Sequence, residues 1–436
     1  MFREQALYLL RAQAVKGFLA FADKNPERGR ECGIGGERGI RTPGELPHNG
    51  FQDRRLKPLG HLSLLARHGI IRRMFRYSIC SAGSMHPNIV KYFLLFSLAI
   101  GSAPAVGEVG FDASADLQFF GDVMLSAKSV AYTKSSAFSP HLFAATAELL
   151  SSAKHNIVNL EGVITDTLLP HEYKRFLLPM PLDSAAILRS AGIDIVTLAN
   201  NHTMDFGFQG LLSTMMALSH SGLVYAGAGI NAAAAAAPIV ISLPGQSVCL
   251  LAFSRTLPIS FWAGKNRAGT AMAAPQSVVD QVSACAKAGF YTVAAFHWGQ
   301  EERSSPRLYQ EELAHLAIDA GANLVIGHHP HRIQRMEVYK GRPILYSLGN
   351  FAFGSDPVQT DQGGLAVRLS LPRKPGELIL LDLIPLDVSN HMVRFVPKPA
   401  SRAEVDAFEA YIPKGADCER RHAPEGWSCR FKSGPA

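Results

Sequence analysis

Three histidines, His328, His329 and His331, fall within four consecutive positions of the stretch Gly327-His-His-Pro-His331. They follow a strand-like run, Ala322-Asn-Leu-Val-Ile326. A buried strand holds imidazoles at its end rigidly and aims them at one point, as a metal site requires. Taken alone, a loop that happens to be rich in histidine explains the stretch equally well. Four other strand-like runs, however, end on similar chemistry. Leu117–Gly121 is followed by Asp122, and Ile157–Leu160 by Glu161. Ile195–Ala199 is followed by Asn200-Asn201-His202, and Thr292–Phe296 by His297. In α/β sheets ligands bind at the carboxyl ends of strands. One polar residue there is commonly a cap or a satisfied core group, but five in a row point to one site.

The set comprises two carboxylates, an amide and several imidazoles, with no thiolate. That suits Mn, Fe or Zn, one or two per chain, rather than a soft cysteine site. A carboxylate can bridge two ions about 3.5–4 Å apart, and such a pair clamps the attacking and leaving oxygens of a phosphate ester. His202 could protonate a leaving alkoxide or orient the phosphate. Other residues read less sharply. Asp205 and Glu301 either orient their neighbours or cap loops. His328 faces outward or stands behind the ligands. Arg255 and Arg303 follow strand ends and either meet an anionic substrate or are simply exposed. Trp298 is expected to pack beneath the site. His155, His171, His220, His315 and His391 lack the spacing and read as surface or structural residues.

The elements that must position these residues alternate along the chain. Strands are expected at Leu117–Gly121, Asn156–Leu160, Ile193–Ala199, Tyr291–Phe296 and Ala322–Ile326. Helices are expected at Pro140–Lys154, Asp183–Ser190, Gly207–Ser221, Pro275–Lys287 and Pro306–Ala320, with a short one at Ala232–Ala237. Pro238–Leu243 and Ser247–Ser254 read as a hairpin around Pro244-Gly245. Arg332–Tyr339 and Arg342–Ser347 read as another around Lys340-Gly341. The ending is strand-rich, with Gly364–Leu371 and Glu377–Val388, then a polar helix near Ala403–Tyr411. The pattern predicts one α/β domain of mixed sheets covered by helices. No Gly-x-Gly-x-x-Gly opens a helix after the first strand, so a dinucleotide-binding enzyme is disfavoured.

Bulk composition bounds the rest. Across 436 residues, 47% are hydrophobic and 18% charged, values of a globular protein. The net charge of +7 is concentrated at one end. Residues 1–84 hold 15 Lys/Arg against 7 Asp/Glu, which leaves the remainder near neutral. A nucleic-acid partner is therefore not expected. The first 84 residues resemble a mis-annotated or disordered extension. Met85 to Lys91 then precedes an apolar run, Tyr92–Ile100, and the small residues Ala103-Pro104-Ala105. That order is an export signal over 85–105, with a mature start near Val106 and a main domain over 106–400. The protein is thus expected in the periplasm or cell envelope, touching membrane only through the signal or anchor segment. Cys249 and Cys285 read as small core residues. Cys418 and Cys429, in the tail 401–436, are expected to pair in a local disulfide.

The motif blocks also resemble a known family. They are Phe119-Phe-Gly-Asp-Val-Met-Leu125, Asn159-Leu-Glu161, Leu198-Ala-Asn-Asn-His-Thr-Met-Asp-Phe-Gly207, His297-Trp-Gly-Gln-Glu301, and His329-Pro-His331 with Tyr346-Ser-Leu-Gly-Asn-Phe351. Together they resemble the CapA-like poly-γ-glutamate capsule biosynthesis proteins, over about Leu117 to Leu371. The resemblance implies the calcineurin-like metallophosphoesterase fold, a sandwich of two mixed β-sheets flanked by helices. It implies Asp122 as a first-ion ligand, Glu161 as the bridge, and Asn201, His297 and His329 as second-ion ligands. His331 would return to the first ion, and His202 would act on the phosphate. The wider superfamily has a histidine two residues after the first Asp, where this chain has Met124. The first ion would then keep only Asp122, Glu161 and His331. Two readings follow. One is an exported metal-dependent phosphoesterase acting on an anionic phosphate-containing or polymer substrate. The other is a non-catalytic envelope protein that binds or exports an anionic capsule polymer.

Overall fold

The computed structural model describes residues 108–110, 117–135, 142–167, 169–170, 174, 176–354, 363–372, 377–393, 395–422 and 425–432. The expected extension and export signal over 1–105 lie outside the described residues, as does His171.

Fifteen strands and four helices position the site. In chain order the strands are β1 (Leu117–Met124), β2 (His155–Leu160), β3 (Ile195–Thr197), β4 (Val224–Ala226), β5 (Ile239–Ser242), β6 (Val248–Ser254), β7 (Tyr291–His297), β8 (Leu324–His328), β9 (Met336–Tyr339), β10 (Arg342–Leu345), β11 (Asn350–Phe353), β12 (Gly364–Ser370), β13 (Leu378–Asp387), β14 (Cys418–His422) and β15 (Glu425–Lys432). The helices are α1 (Ser184–Ser190), α2 (Gly207–His220), α3 (Pro275–Lys287) and α4 (Leu308–Asp319).

Two mixed sheets form the body. In the first, Glu108–Gly110 is followed across the sheet by β5, β6, β7, β8, β10 and β9. Its centre, β6-β7-β8-β10, is parallel. The second runs β14-β15-β13-β12-β1-β2-β3-β4, with β11 also on β1. Its parallel half is β11-β1-β2-β3-β4.

Alternation along the strands explains the layering, because successive side chains point to opposite faces. Leu250, Val293, Ala295, Leu324 and Ile326 of the first sheet join Leu117, Phe119, Ile157 and Ile195 of the second in one apolar core between the sheets. Their neighbours face the other way. Leu251, Phe253, Ala294, Phe296 and Val325 pack under Val278 and Val282 of α3 and Leu313 and Ala317 of α4. Phe120, Val158, Leu160 and Val196 pack under Leu188 of α1 and Leu211 and Leu218 of α2. The result is a sandwich of two mixed β-sheets flanked by helices.

Local chemistry corrects several sequence expectations. The helix expected over Pro140–Lys154 is only a 3₁₀ turn, Ala144–Thr146, and one short helix, Ala147–Ser151. Ser151 Oγ donates to Glu148 O and Ser152 Oγ to Leu149 O, capturing carbonyls that a longer helix needs. The strand expected to reach Ala199 ends at Thr197, because Asn200 N–H turns back to Leu198 O. The polar tail carries a hairpin, β14-β15, that extends the second sheet beside β13. Cys418 pairs with Cys429 across that hairpin. Cys249 and Cys285 are not free core thiols; they form a second disulfide between β6 and α3. They lie 36 residues apart, and only the packing of α3 on β6 brings them together.

Candidate metal centre

The parallel strands of both sheets deliver polar side chains to one place. From the second sheet come Asp122 on β1, Glu161 after β2, and Asn201 and His202 after β3. From the first come His297 at the end of β7, and His329 and His331 after β8. All are buried except His331, which retains slight exposure. Two glycines let the backbone close over these strand ends. A Cβ on Gly121 would stand 2.0 Å from Gly349 O, and one on Gly327 would stand 2.0 Å from Tyr346 O. His329 and His331 adopt φ of 95° and 56°, a left-handed conformation unusual outside glycine.

Asp122 is the most heavily engaged group. Its Oδ1 accepts from Asn159 Nδ2 at 2.8 Å, and its Oδ2 from the His329 backbone N–H at 3.1 Å. His328 Nδ1 is 3.2 Å from Oδ1, and His331 Nδ1 is 3.4 Å from Oδ2. Burial would raise this carboxyl, but the contact with His328 and the charges of His328, His331 and His297 overcome it. Asp122 is held well below the usual carboxylate range.

Glu161 is the opposite case. Both of its carboxylate oxygens are buried without a hydrogen-bond partner. Its Oε1 lies 3.4 Å from His297 Nε2 and 3.8 Å from His331 Nε2. Burial, joined by the repulsion of Asp122 against the pull of His331, pushes the Glu161 carboxyl up to about 7. Burial holds His297 and His329 well below the usual imidazole range. For His331 burial acts downward too, but Glu161, Asp122 and Asn350 outweigh it and raise the group.

His297 Nε2 is 2.7 Å from Asn201 Oδ1, and its Nδ1 is 3.2 Å from Asn159 Nδ2. The His297 and His329 rings stand 4.7 Å apart, and those of His329 and His331 6.1 Å apart. His331 Nδ1 also meets Asn350 Oδ1 at 2.9 Å.

A second cluster adjoins the first. His202 Nδ1 is 2.7 Å from Asp205 Oδ2. A carboxylate only accepts, so the Asp205 contact draws the proton to Nδ1, while Lys174 Nζ stands 3.2 Å from the same nitrogen. Asp205 Oδ2 also accepts from the Leu178 N–H, and Oδ1 from Lys174 Nζ at 2.6 Å. Lys174 Nζ donates to Asn201 O at 2.6 Å and stands 5.2 Å from the Phe261 ring. Asn200 Oδ1 accepts the His202 and Thr203 N–H groups, while its Nδ2 donates to Leu160 O. The turn holding Asn201 and His202 is thereby tied to the end of β2.

The residues singled out from the sequence thus converge, and others join them. His328 faces Asp122 rather than solvent. Asp205 holds His202, while Glu301 is exposed. Trp298 is fully buried beneath the site, its indole N–H donating to Tyr346 O. Met124 belongs to the outer core with Phe120 and Val123. Four participants escaped sequence reading: Asn159, Asn200 as a tether, Lys174 and Asn350. Asn159 had a signal, since it stands two residues before Glu161 and strand side chains repeat every second position. Asn350 stands in the motif block Tyr346–Phe351, but nothing there marks its role, and Lys174 has no signal, lying far in sequence from what it touches.

A divalent cation fits these residues. A buried carboxylate with two orphaned oxygens, beside His297 and His329 that burial keeps neutral, is costly alone and is compensated by a cation. His329 Nδ1 is likewise buried without a partner. Two triads, Glu161 with His329 and His331, and Asp122 with Glu161 and His297, offer donor atoms within 4.8 Å of one another.

The two sheets and this cluster define an α/β protein with a candidate metal centre at the carboxyl ends of its parallel strands. Residues 116–355 match the family described as bacterial capsule synthesis protein PGA_cap, and the chain belongs to that family. It is 34% identical over 184 residues to PGA biosynthesis protein CapA of Bacillus subtilis, a match covering 42% of this chain and 48% of the relative. It is also 34% identical over 225 residues to capsule biosynthesis protein CapA of Bacillus anthracis, covering 51% and 53%. The chain spans about half the length of these curated relatives. Among solved structures, Haemophilus influenzae NAD nucleotidase overlays with a TM-score of 0.39 at 12% identity, covering 69% of this chain and 63% of that one.

Proposed function

We propose that the chain is an exported, metal-dependent phosphoesterase acting in capsule or exopolymer synthesis. The orphaned carboxylate of Glu161, set among Asp122, His297, His329 and His331, carries the reading. Asp122, Glu161 and His331 would hold one ion, and Asn201, His297 and His329, with Glu161 shared, a second. Mn, Fe or Zn suits this oxygen and nitrogen set. When bound, such an ion supplies Lewis-acid polarisation of a phosphoryl oxygen.

The remaining steps belong to the chain. Asp205 keeps the Nδ1 proton of His202 and supports its imidazolium form, whose Nε2 proton passes to the departing alkoxide oxygen of a phosphate ester and leaves the neutral imidazole. Lys174 neutralises Asp205 and ties the Asn201 carbonyl to the same point. Trp298 and Tyr346 pack together in the outer core, and the Trp298 backbone N–H donates to the His328 carbonyl, which ties β7 to β8 at the site. Two disulfides support an oxidising compartment, and with it export to the periplasm or cell envelope. Among the described residues no helix is long and apolar enough to cross a membrane. The capsule role is supported by family membership and by the names of the two CapA relatives.

The test pairs elemental mass spectrometry with hydrolysis of p-nitrophenyl phosphate and bis-p-nitrophenyl phosphate. About one or two transition-metal ions per chain, lost together with turnover in Glu161→Gln, is the expected result. Absence of both metal and turnover after reconstitution with Mn, Fe or Zn would sink the proposal. Met124 favours the second reading, a polymer-binding envelope protein without catalysis, because a core methionine stands where the superfamily places a histidine. Metal content without hydrolysis of either ester would favour it.

A further inference from the structure

Of the large apolar side chains left in solvent, the most exposed share one edge of the strands, while Leu182, Met216, Val338, Leu378 and Leu380 stand elsewhere. Among the described residues the five most exposed are Leu169 (77%), Leu257 (70%), Leu308 (69%), Phe176 and Ile259 (both 62%). Each lies on a segment that leaves the carboxyl end of a strand bearing the candidate centre or pairing with one that does. Leu169 and Phe176 follow Glu161 and the short strand Val163–Ile164. Leu257 and Ile259 follow β6, whose last residue, Ser254, pairs with His297. Leu308 opens α4 after the loop from β7.

Two of these segments meet beside the centre. Lys174 reaches Asn201 O and Asp205 while standing over the Phe261 ring, which sets Lys174 against segment 255–267. Phe176 sits between Lys174 and Leu178, both of which bond to Asp205. The site mouth therefore carries an apolar rim. Scattered exposed leucines need no explanation, but several gathered on one face mark an interaction surface.

Charge separates segment 255–267 from the loop before Leu308, where Glu301 and Glu302 are exposed, and selects its partner. Segment 255–267, Arg-Thr-Leu-Pro-Ile-Ser-Phe-Trp-Ala-Gly-Lys-Asn-Arg, contains three basic residues and no carboxylate. Lys265 and Arg267 are exposed, and Arg255 lies 6.0 Å over the Trp262 ring. An apolar tip flanked by cations and an aromatic ring matches an anionic lipid interface, where the tip enters the acyl boundary and the cations meet phosphates.

We propose that segment 255–267 docks on an anionic phospholipid bilayer, with Leu257 and Ile259 inserted and Arg255, Lys265 and Arg267 against the headgroups. The candidate centre then opens toward the membrane surface, which adds a contact beyond the one expected from residues 85–105. The contact does not depend on whether the site hydrolyses anything.

Hydrogen–deuterium exchange on the full chain tests it locally, because tethering through residues 85–105 would not protect segment 255–267. The probes are vesicles of phosphatidylcholine mixed with phosphatidylglycerol, and vesicles of phosphatidylcholine alone. Exchange in 255–267 should slow with the mixed vesicles, less with the neutral ones, and less again as salt is raised. The double variant Leu257→Asp with Ile259→Asp should lose this protection, about tenfold or more in partition. Lys265→Glu should weaken it on mixed vesicles. Unchanged exchange of the β6, β7 and β8 peptides in these variants confirms that they fold, as exposed positions permit. Exchange in 255–267 that ignores the mixed vesicles would overturn the proposal. So would protection that survives the double substitution, or protection equally strong on neutral vesicles.

Discussion

At the residue scale the cluster is defined by two carboxylates driven in opposite directions. Asp122 receives two hydrogen bonds and keeps its charge, whereas Glu161 receives none and is pushed up to about 7 by burial. In metal-free protein, a raised folded pKa means that the folded state holds the proton more tightly than the unfolded chain. The stability this confers is full below the unfolded value, near 4.5, and is lost as pH rises through about 7. The loss amounts to about 3 kcal/mol at most. His297 and His329, held neutral by burial, act oppositely below the usual imidazole range, so the wild-type curve mixes several groups. The difference between wild type and Glu161→Gln isolates the carboxylate. Urea unfolding in chelator should show Glu161→Gln gaining on wild type between about pH 5 and pH 8. An equal difference at both pH values would show that Glu161 stays charged without a cation.

Metal binding should displace that same proton, so affinity should rise over the same pH window. Calorimetric titration with Zn or Mn would show it, and a pH-independent affinity would contradict the assignment of Glu161. His202 and Asp205 belong to a different task. His202→Ala should lower kcat on a phosphate ester about 10²–10⁴-fold while metal content stays at the wild-type level. If the metal leaves with His202, that side chain is a ligand rather than a proton donor.

At the scale of elements, the site depends on how closely the segment 346–350 lies over Gly121 and Gly327. The first of these stands inside β1, a strand that runs on to Met124 rather than ending at Gly121 as expected. Gly121 and Gly327 face backbone carbonyls at distances that no side chain tolerates. Gly327→Ala should cost about 3 kcal/mol or more and reduce metal content, because β8 must shift and take His328 and His329 with it. Thermal unfolding and elemental analysis of that variant would check both, and a variant as stable and as metal-loaded as wild type would contradict the crowding. Strand ends were the legible part of this chain. Asp122, Glu161, Asn201, His297 and the 328–331 cluster each close an apolar run, and period and position sufficed to gather them. What the sequence hid was lateral. Asn159 binds across to β1 and β7, Lys174 bonds to Asn201 and Asp205 from a separate loop, and Asn350 meets His331 through a chain reversal. None of those contacts leaves a trace in local periodicity. The strand Cys418–His422 was hidden for another reason: it is the edge of its sheet, keeps charged residues along its length, and reads as a polar tail.

At the scale of the whole molecule, the two disulfides secure different parts of the sandwich. Cys249–Cys285 fastens α3 to a central strand of the first sheet, inside the outer core. Cys418–Cys429 closes the hairpin that completes the far side of the second sheet. Their loops span 36 and 11 residues. Restricting the unfolded chain over such spans is worth about 3–4 kcal/mol for each bridge, on the chain-entropy account. Alkylation of the native, unreduced protein followed by mass spectrometry should therefore leave Cys249, Cys285, Cys418 and Cys429 unmodified. Reduction should move the urea midpoint down, and the double variant Cys249→Ala with Cys285→Ala should reproduce part of that shift. The outcome also bears on where the protein works. These bridges persist only where thiols are oxidised, the condition that the export signal proposed at 85–105 would impose. Protein recovered from an oxidising compartment with all four thiols free would remove the structural support for export and return Cys249 and Cys285 to the role of ordinary core residues.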